Sequence, residues 1–153
     1  MIDPTQKKIL EESTNELLSL DIEVLEKSFT LLSPNFKSIV THFYAELLTH
    51  YPDMRPLFSH LDMVQQEAKM IHTIEVVIMS LRKPDQLLEV IKELGFRHQG
   101  YGAKPEDFEH VNKTLLHVMS EFAAKAWTAE VENAWEIALQ TISKIMIAAY
   151  RKK

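Results

Sequence analysis

The chain has 153 residues, of which 46% are hydrophobic and 25% are charged. This composition predicts one globular domain, because the chain is long enough to bury a core and too short for a second catalytic domain. The formal net charge of −5 leaves no basic surface for a phosphate backbone, which argues against nucleic-acid binding. Because the sequence has no cysteine, disulfides, thiolate metal sites and cysteine nucleophiles are excluded.

The residue types favour an all-α fold, since the chain has only three glycines and six prolines. No stretch approaches the roughly 18 consecutive apolar residues that a membrane span needs. The first residues, Met1-Ile2-Asp3-Pro4, lack the basic start and apolar core of a signal peptide. We therefore expect a soluble cytoplasmic protein without a membrane partner.

The prolines mark helix starts, because proline fits the first turn of a helix and breaks its interior. Asp21 and Thr128 precede apolar patterns and are predicted N-caps. Pro52 and Pro56 interrupt the chain twice and predict a short helical corner that ends near Phe58. The remaining pattern predicts helices over about 4–20, 22–32, 34–50, 64–81, 84–98, 105–125 and 129–150.

One predicted helix carries a histidine on its apolar face. The residues of that face are three or four positions apart: Leu87, Leu88, Ile91, Leu94 and His98. All three glycines of the chain lie between residues 95 and 102, which predicts a sharp exit from the helix at this point. A histidine on an apolar face is more often a packed core residue than a ligand, so the pattern does not by itself define a metal site.

The order of several features along the chain is more specific. These features are Phe43-Tyr44, the proline-rich corner of residues 51–58, Gln66 with Met70, the run from Leu94 to His98, and Tyr101-Gly102. Together they resemble the globins, and most closely the single-domain bacterial haemoglobins and the haem domain of flavohaemoglobins. The resemblance covers about residues 22–150 and implies a globin fold, a 3-on-3 helical sandwich around haem. Residues 1–20 would be an N-terminal helical extension, and residues 21–153 the globin domain.

By this resemblance the cofactor is haem b and His98 is the proximal iron ligand. Leu94 would pack under the porphyrin, and Phe58 would wedge the ring at the corner. A proximal imidazole must be neutral and held through its second ring nitrogen, for which the carbonyl of Leu94 is the nearest acceptor. Phe108 and Val111 are implied as secondary haem contacts. For these apolar residues, simple core packing is the alternative.

Tyr44, Gln66 and Met70 match the positions that line the distal ligand pocket of this family. A phenol and an amide donor stabilise a diatomic ligand with partial negative charge, such as dioxygen, and stabilise carbon monoxide much less. Gln65 precedes Gln66, and we choose Gln66 because the apolar Met70 then follows one turn later. The alternative is that Tyr44 packs in the core and Gln66 is solvated. The other histidines are expected at the surface: His42, His50, His60, His72, His110 and His117.

The last helix departs from the family. The relatives place a tyrosine and a glutamate behind the proximal histidine, and alignment on Trp135 puts Leu139 and Tyr150 at those places. Without the carboxylate the imidazole is expected to be less basic, which argues against peroxidase chemistry.

The resemblance implies a protein that reversibly binds dioxygen, nitric oxide or another diatomic ligand for storage, transfer or sensing. The alternative is a nitric oxide dioxygenase, for which we expect a separate reductase, because no flavin or nicotinamide domain follows residue 150. A helical regulatory domain without haem is a third hypothesis. The extension could cover the globin surface or form a dimer contact, so the oligomeric state stays open.

Overall fold

The computed structural model describes residues 2–151. Within that range the chain forms seven α-helices and no β-strand, which confirms the all-α prediction. The described residues leave out Met1, the first residue of the predicted extension, and Lys152 and Lys153, the last two of the predicted globin domain. The helices are α1 (Pro4–Leu18), α2 (Ile22–Leu32), α3 (Phe36–His50), α4 (Met63–Ser80), α5 (Pro84–Tyr101), α6 (Pro105–Ala123) and α7 (Ala129–Ala148). Short 3₁₀ turns cover Ser33–Asn35, Pro52–Leu57 and Ala124–Ala126.

The helix starts lie where the caps and prolines predicted them, except that α3 begins at Phe36 and Pro34 lies in the 3₁₀ turn before it. The side chain of Asp21 accepts a hydrogen bond from the backbone N–H of Val24 at 3.4 Å, and Thr128 accepts one from Val131 at 3.2 Å. Asp62 caps α4 in the same way. These bonds satisfy backbone donors that a helix leaves free in its first turn.

The core lies where α3, α6 and α7 pack together, with α2 alongside. The side chains of Ile39, Leu47 and Ile145 have no exposed surface. Within this core the indole N–H of Trp135 donates to the hydroxyl of Ser28 at 2.8 Å and links α7 to α2. The core therefore fixes the frame against which α4 and α5 are set.

The histidine-bearing helix is longer than predicted, because α5 continues past His98 to Tyr101. Of the three glycines, only Gly102 ends the helix, because its φ of 91° lies in the left-handed region. Gly95 lies inside the helix for a different reason: a Cβ atom there would lie 2.5 Å from the carbonyl oxygen of Met146 on α7. A glycine at this position allows α5 and α7 to approach closely, so the predicted exit is wrong for Gly95 and right for Gly102.

The N-terminal helix α1 packs against α5 and α7. Leu17 is buried in that contact, and the carboxylate of Glu16 pairs with the ammonium group of Lys144 at 3.0 Å. Over residues 2–151, no helix has the length and apolar character needed to cross a membrane.

Candidate functional site

Tyr44 is the centre of the first group of predicted site residues. The phenol is 6% exposed and points from α3 toward the start of α4. Gln66 on α4 donates its side-chain amide to the phenol oxygen at 3.1 Å, and the ring of Phe58 lies edge-on with its centroid 5.5 Å away. The structure thus brings together three residues that are far apart in sequence. We name Tyr44, Phe58 and Gln66 the tyrosine cluster.

The direction of that hydrogen bond decides what Tyr44 can do. Because Gln66 donates to the phenol oxygen, the O–H proton of Tyr44 remains available, and within residues 2–151 the Tyr44 hydroxyl donates no hydrogen bond. Burial raises the pKa of Tyr44, and the hydrogen bond from Gln66 offsets only part of the rise. The phenol therefore stays protonated at neutral pH and can donate to a ligand.

His98 is the centre of the second group. Its Nδ1 lies 2.7 Å from the carbonyl oxygen of Leu94, and because a carbonyl only accepts, Nδ1 carries the proton. Burial lowers the pKa of His98, so the imidazole is neutral at neutral pH. Its Nε2 has no hydrogen-bond partner among the described residues. A neutral imidazole with a free Nε2 lone pair is the form that ligates a metal ion.

Aromatic rings surround this imidazole. The centroid of the Phe108 ring lies 5.6 Å from that of His98, and the centroid of the Tyr101 ring lies 5.7 Å from it. The ammonium group of Lys69 on α4 lies 6.0 Å from the Tyr101 ring centroid and bridges to α5. Tyr101 was missed as a site residue, although its spacing of three from His98 places it on the same side of the helix. We name Leu94, His98 and Phe108 the histidine cluster.

Leu139 within α7 and Tyr150 just after its end are the residues predicted to lie behind His98. The hydroxyl of Tyr150 donates to the backbone carbonyl of Ala103 at 2.8 Å and not to His98. Burial, and then the negative charge of Asp107, raise the pKa of Tyr150 to about 12. Leu139 is half-buried and has no polar group to offer the imidazole. Within the described residues, the hydrogen bond to Leu94 is the only one that the imidazole of His98 makes.

Several apolar residues of α4, α5 and α6 are only half covered by protein. Met70 and Val77 on α4, Leu94 on α5 and Val111 on α6 are all half-buried. In α4 the only buried residue is Ser80, at its last position. Half-covered apolar side chains beside a free imidazole nitrogen suit a large, flat and mostly apolar cofactor that carries a metal ion, so the residues present fit haem.

Comparison with known proteins decides the family. The model of the family described as Globin matches residues 41–146, well over half of the chain, and this stretch contains Tyr44, Gln66 and His98. The chain belongs to the globin family. The helical architecture described above is therefore the globin fold that the sequence predicted.

Bacterial flavohemoproteins are among the relatives of this globin. It is 25% identical over 146 residues to a flavohemoprotein of Oceanobacillus iheyensis. The match covers 94% of this chain and 34% of that protein. It is 26% identical over 138 residues to a flavohemoprotein of Bordetella pertussis, with coverages of 88% and 34%. The globin thus spans about a third of the length of the curated relatives it matches. Family and relatives together support a haem globin.

A solved structure agrees with the fold. The crystal structure of a hexacoordinated haem protein from an anhydrobiotic tardigrade matches with a TM-score of 0.73 and 23% identity. The match covers 84% of this globin and 92% of that chain. At this identity the match confirms the three-dimensional fold.

Proposed function

We propose that this globin binds haem b through His98 and reversibly binds dioxygen, nitric oxide or another diatomic molecule, for storage, transfer or sensing. The observation that carries the proposal is the 3.1 Å hydrogen bond from Gln66 to Tyr44, because it leaves a buried phenol proton free to donate. The neutral imidazole of His98, with its unpaired Nε2, supports the same proposal from the other cluster.

Haem, when bound, would supply an iron atom that can bind a protein ligand and a diatomic ligand. His98 offers Nε2 to the iron, and the carbonyl of Leu94 holds the ring through Nδ1 at 2.7 Å. The half-covered or buried apolar side chains beside it exclude water from the porphyrin. The residues proposed to contact the ring are Phe58, Met70, Leu94, Phe108 and Val111.

Tyr44 and Gln66 set the selectivity of the proposed distal side. The phenol of Tyr44 donates to a ligand that carries partial negative charge, and Gln66 orients the phenol by donating to its oxygen. A hydrogen bond to a charged acceptor contributes about 1.5 to 3 kcal/mol, equivalent to about a ten- to hundredfold slower release. Dioxygen should therefore leave slowly, and carbon monoxide should gain much less.

A second function, nitric oxide dioxygenation, is favoured by the similarity to flavohemoproteins. In this function Tyr44 and Gln66 would hold dioxygen, and dioxygen, nitric oxide and one electron would together give nitrate. The electrons for each new cycle would have to come from a reductase outside these 153 residues.

The test is to add haem to the purified chain and record absorption spectra of the ferric, ferrous and dioxygen-bound forms. Stopped-flow measurement of dioxygen release then compares the wild-type chain with Tyr44→Phe, which should release dioxygen about ten- to hundredfold faster. A chain without a Soret band after haem addition would overturn haem binding. Release rates within about twofold of each other would overturn the role of Tyr44.

Nitric oxide consumption separates the two functions. With NADH and a general reductase present, sustained consumption would favour the dioxygenase. One equivalent consumed per haem, followed by arrest, would favour a binding protein.

A further inference from the structure

The end of the chain forms a strap between the N-terminal helix and the segment that follows His98. We define the strap as residues 148–151, from the last residue of α7 onward. Hydrogen bonds leave it in two directions, toward α1 on one side and toward the end of α5 on the other. The strap therefore connects α1, which precedes the residues 41–146 matched by the Globin family model, to the histidine cluster.

Gln6 makes the connection to α1. Its side-chain Nε2 donates to the backbone carbonyls of Ala148 at 3.1 Å and Tyr150 at 2.5 Å. The same amide is oriented by its own helix start, since its Oε1 accepts from the backbone N–H of Asp3 at 2.9 Å. Because Oε1 is held at Asp3, the NH₂ group faces the strap, so the donor direction is fixed by the capping box of α1.

The connection to α5 begins one residue after His98. The side chain of Gln99 pairs with the backbone of Arg151 in both directions, donating to its carbonyl at 2.6 Å and accepting from its N–H at 2.9 Å. The hydroxyl of Tyr150 donates to the carbonyl of Ala103 at 2.8 Å. Two residues of the strap thus hold both sides of the turn that ends α5.

The strap reaches His98 itself by two routes. Along the backbone, the N–H of Ala103 donates to the carbonyl of His98 at 3.0 Å. Through the rings, Tyr150 lies 6.3 Å from Phe108 between centroids, and Phe108 lies 5.6 Å from His98. The backbone position and the ring environment of His98 therefore both depend on where the strap lies.

We propose that Gln6 is a positioning residue for His98, so that docking of α1 sets the orientation of the imidazole through the strap. This inference rests on the proposed function insofar as His98 is the iron ligand. The N-terminal helix is then more than a cover for the globin surface: its displacement would loosen the strap and change how His98 meets the iron.

The chain offers a matched pair of variants. Gln6→Glu keeps the size of the side chain and an oxygen for the N–H of Asp3, and it removes the donor to the strap. Glu16→Gln is the control, since Glu16 also links α1 to α7, through its 3.0 Å ion pair with Lys144, and makes no contact with the strap. Glu16→Gln removes a surface contact of α1 that lies away from the strap, and only Gln6→Glu removes the bonds to residues 148–151.

Three measurements on the full chain read the effect. Hydrogen exchange of the Ala103 amide should become about tenfold faster in Gln6→Glu, because the turn opens more often. The imidazole ring signals of His98 in NMR spectra should shift. In the ferrous haem-bound form, the iron–histidine stretching band in resonance Raman spectra should move. Glu16→Gln should leave all three within error of the wild-type chain.

A merely structural role for Gln6 would give a different result. Equal changes in both variants, or unchanged His98 signals in Gln6→Glu, would overturn the inference. Combining Gln6→Glu with Gln99→Ala should add little to either single change, because both release the same strap, and full additivity would also overturn it. If the wild-type chain binds no haem, the proposed function fails, while the exchange rate and the ring signals of His98 still decide the inference.

Discussion

The tyrosine cluster and the histidine cluster are held in place in different ways. Two side-chain hydrogen bonds, from Gln66 to Tyr44 and from Thr41 to Glu67, join α4 to α3, and α4 buries only its last residue. The helix of the histidine cluster packs backbone to backbone on α7 at Gly95 and is tied at its end by the strap. The tyrosine cluster is thus held by side-chain hydrogen bonds, and the histidine cluster by close backbone packing and the strap.

This difference separates ligand selectivity from stability. In the tyrosine cluster, Tyr44→Phe removes a donor and keeps the buried ring, so it should change ligand release more than folding. A substitution along α5 meets close-packed backbone, so it should change folding first. The predictions below challenge this division, beginning with the largest expected effect.

Replacing His98 should have the largest effect. His98→Ala removes the proposed iron ligand, and haem affinity should fall by more than about a hundredfold, since loss of a residue that merely supports a ligand already costs about 10- to 100-fold. Haem titration followed by absorption spectroscopy measures this change. His72→Ala, at an exposed position on α4, is the control and should bind haem like the wild-type chain. An unchanged spectrum and affinity in His98→Ala would contradict the assignment.

A methyl group at Gly95 should destabilise the fold. The added Cβ would lie 2.5 Å from the carbonyl oxygen of Met146, so α5 and α7 must move apart. We expect Gly95→Ala to lower the free energy of unfolding by about 1 to 3 kcal/mol in urea titrations.

Gly100→Ala is the matched control on the same helix. Nothing lies within 4 Å of a Cβ atom at that position, and alanine favours the helix, so stability should rise by up to about 1 kcal/mol. Equal effects of the two substitutions would show that α5 is not closely packed on α7.

These two glycines also show what sequence reasoning reaches. Helix starts were predicted closely, because proline and cap residues act on their own first turn, as at Pro84 and Thr128. The end of α5 was not predicted closely, because a glycine can mark either a turn of the chain or a close contact between two helices. Which of the two applies at Gly95 depends on Met146, a residue far along the chain.

The candidate site shows the same limit. Tyr44, Phe58 and Gln66 were selected by their order along the chain, and the structure places them in contact. The strap was missed, because its bonds from Gln6 and Gln99 go to backbone groups, which every residue carries and no sequence pattern marks. Side-chain chemistry is visible in the sequence, whereas backbone partners appear only in the fold.

Removing a helix cap should have a smaller effect, and its consequences should differ between α4 and α7. Asp62 caps α4 next to Gln66, and Thr128 caps α7 in the fixed frame. Asp62→Ala and Thr128→Ala should each cost about 1 kcal/mol of stability. Only Asp62→Ala should also speed dioxygen release in stopped-flow experiments, because fraying of the first turn disturbs Gln66. Similar release rates in the two variants would indicate that α4 is held more firmly than its contacts suggest.

The histidine cluster should make the stability of the haem-free chain sensitive to acid. Burial lowers the pKa of His98 below its usual value of about 6.5. The folded state therefore binds fewer protons at His98 than the unfolded state. The contribution of the neutral imidazole to the free energy of unfolding is fully present above about pH 6.5 and is lost as the pH falls through the pKa of the folded state. Urea unfolding at a series of pH values should show that loss, and His98→Gln should reduce it. An identical pH dependence in the variant would assign the acid sensitivity to other groups.

The tyrosine cluster should respond in the opposite direction, and only at high pH. Burial raises the pKa of Tyr44 above its usual value of about 10. The contribution of the protonated phenol to the free energy of unfolding is therefore fully present below about pH 10 and is lost as the pH rises through the pKa of the folded state. Between about pH 6 and pH 9 the phenol keeps its proton, and the ratio of dioxygen release rates between Tyr44→Phe and the wild-type chain should stay constant within about twofold. Stopped-flow release measured across this range tests the expectation. A ratio that shrinks below about pH 9 would mean that the phenol ionises early, which would contradict a buried donor oriented by Gln66.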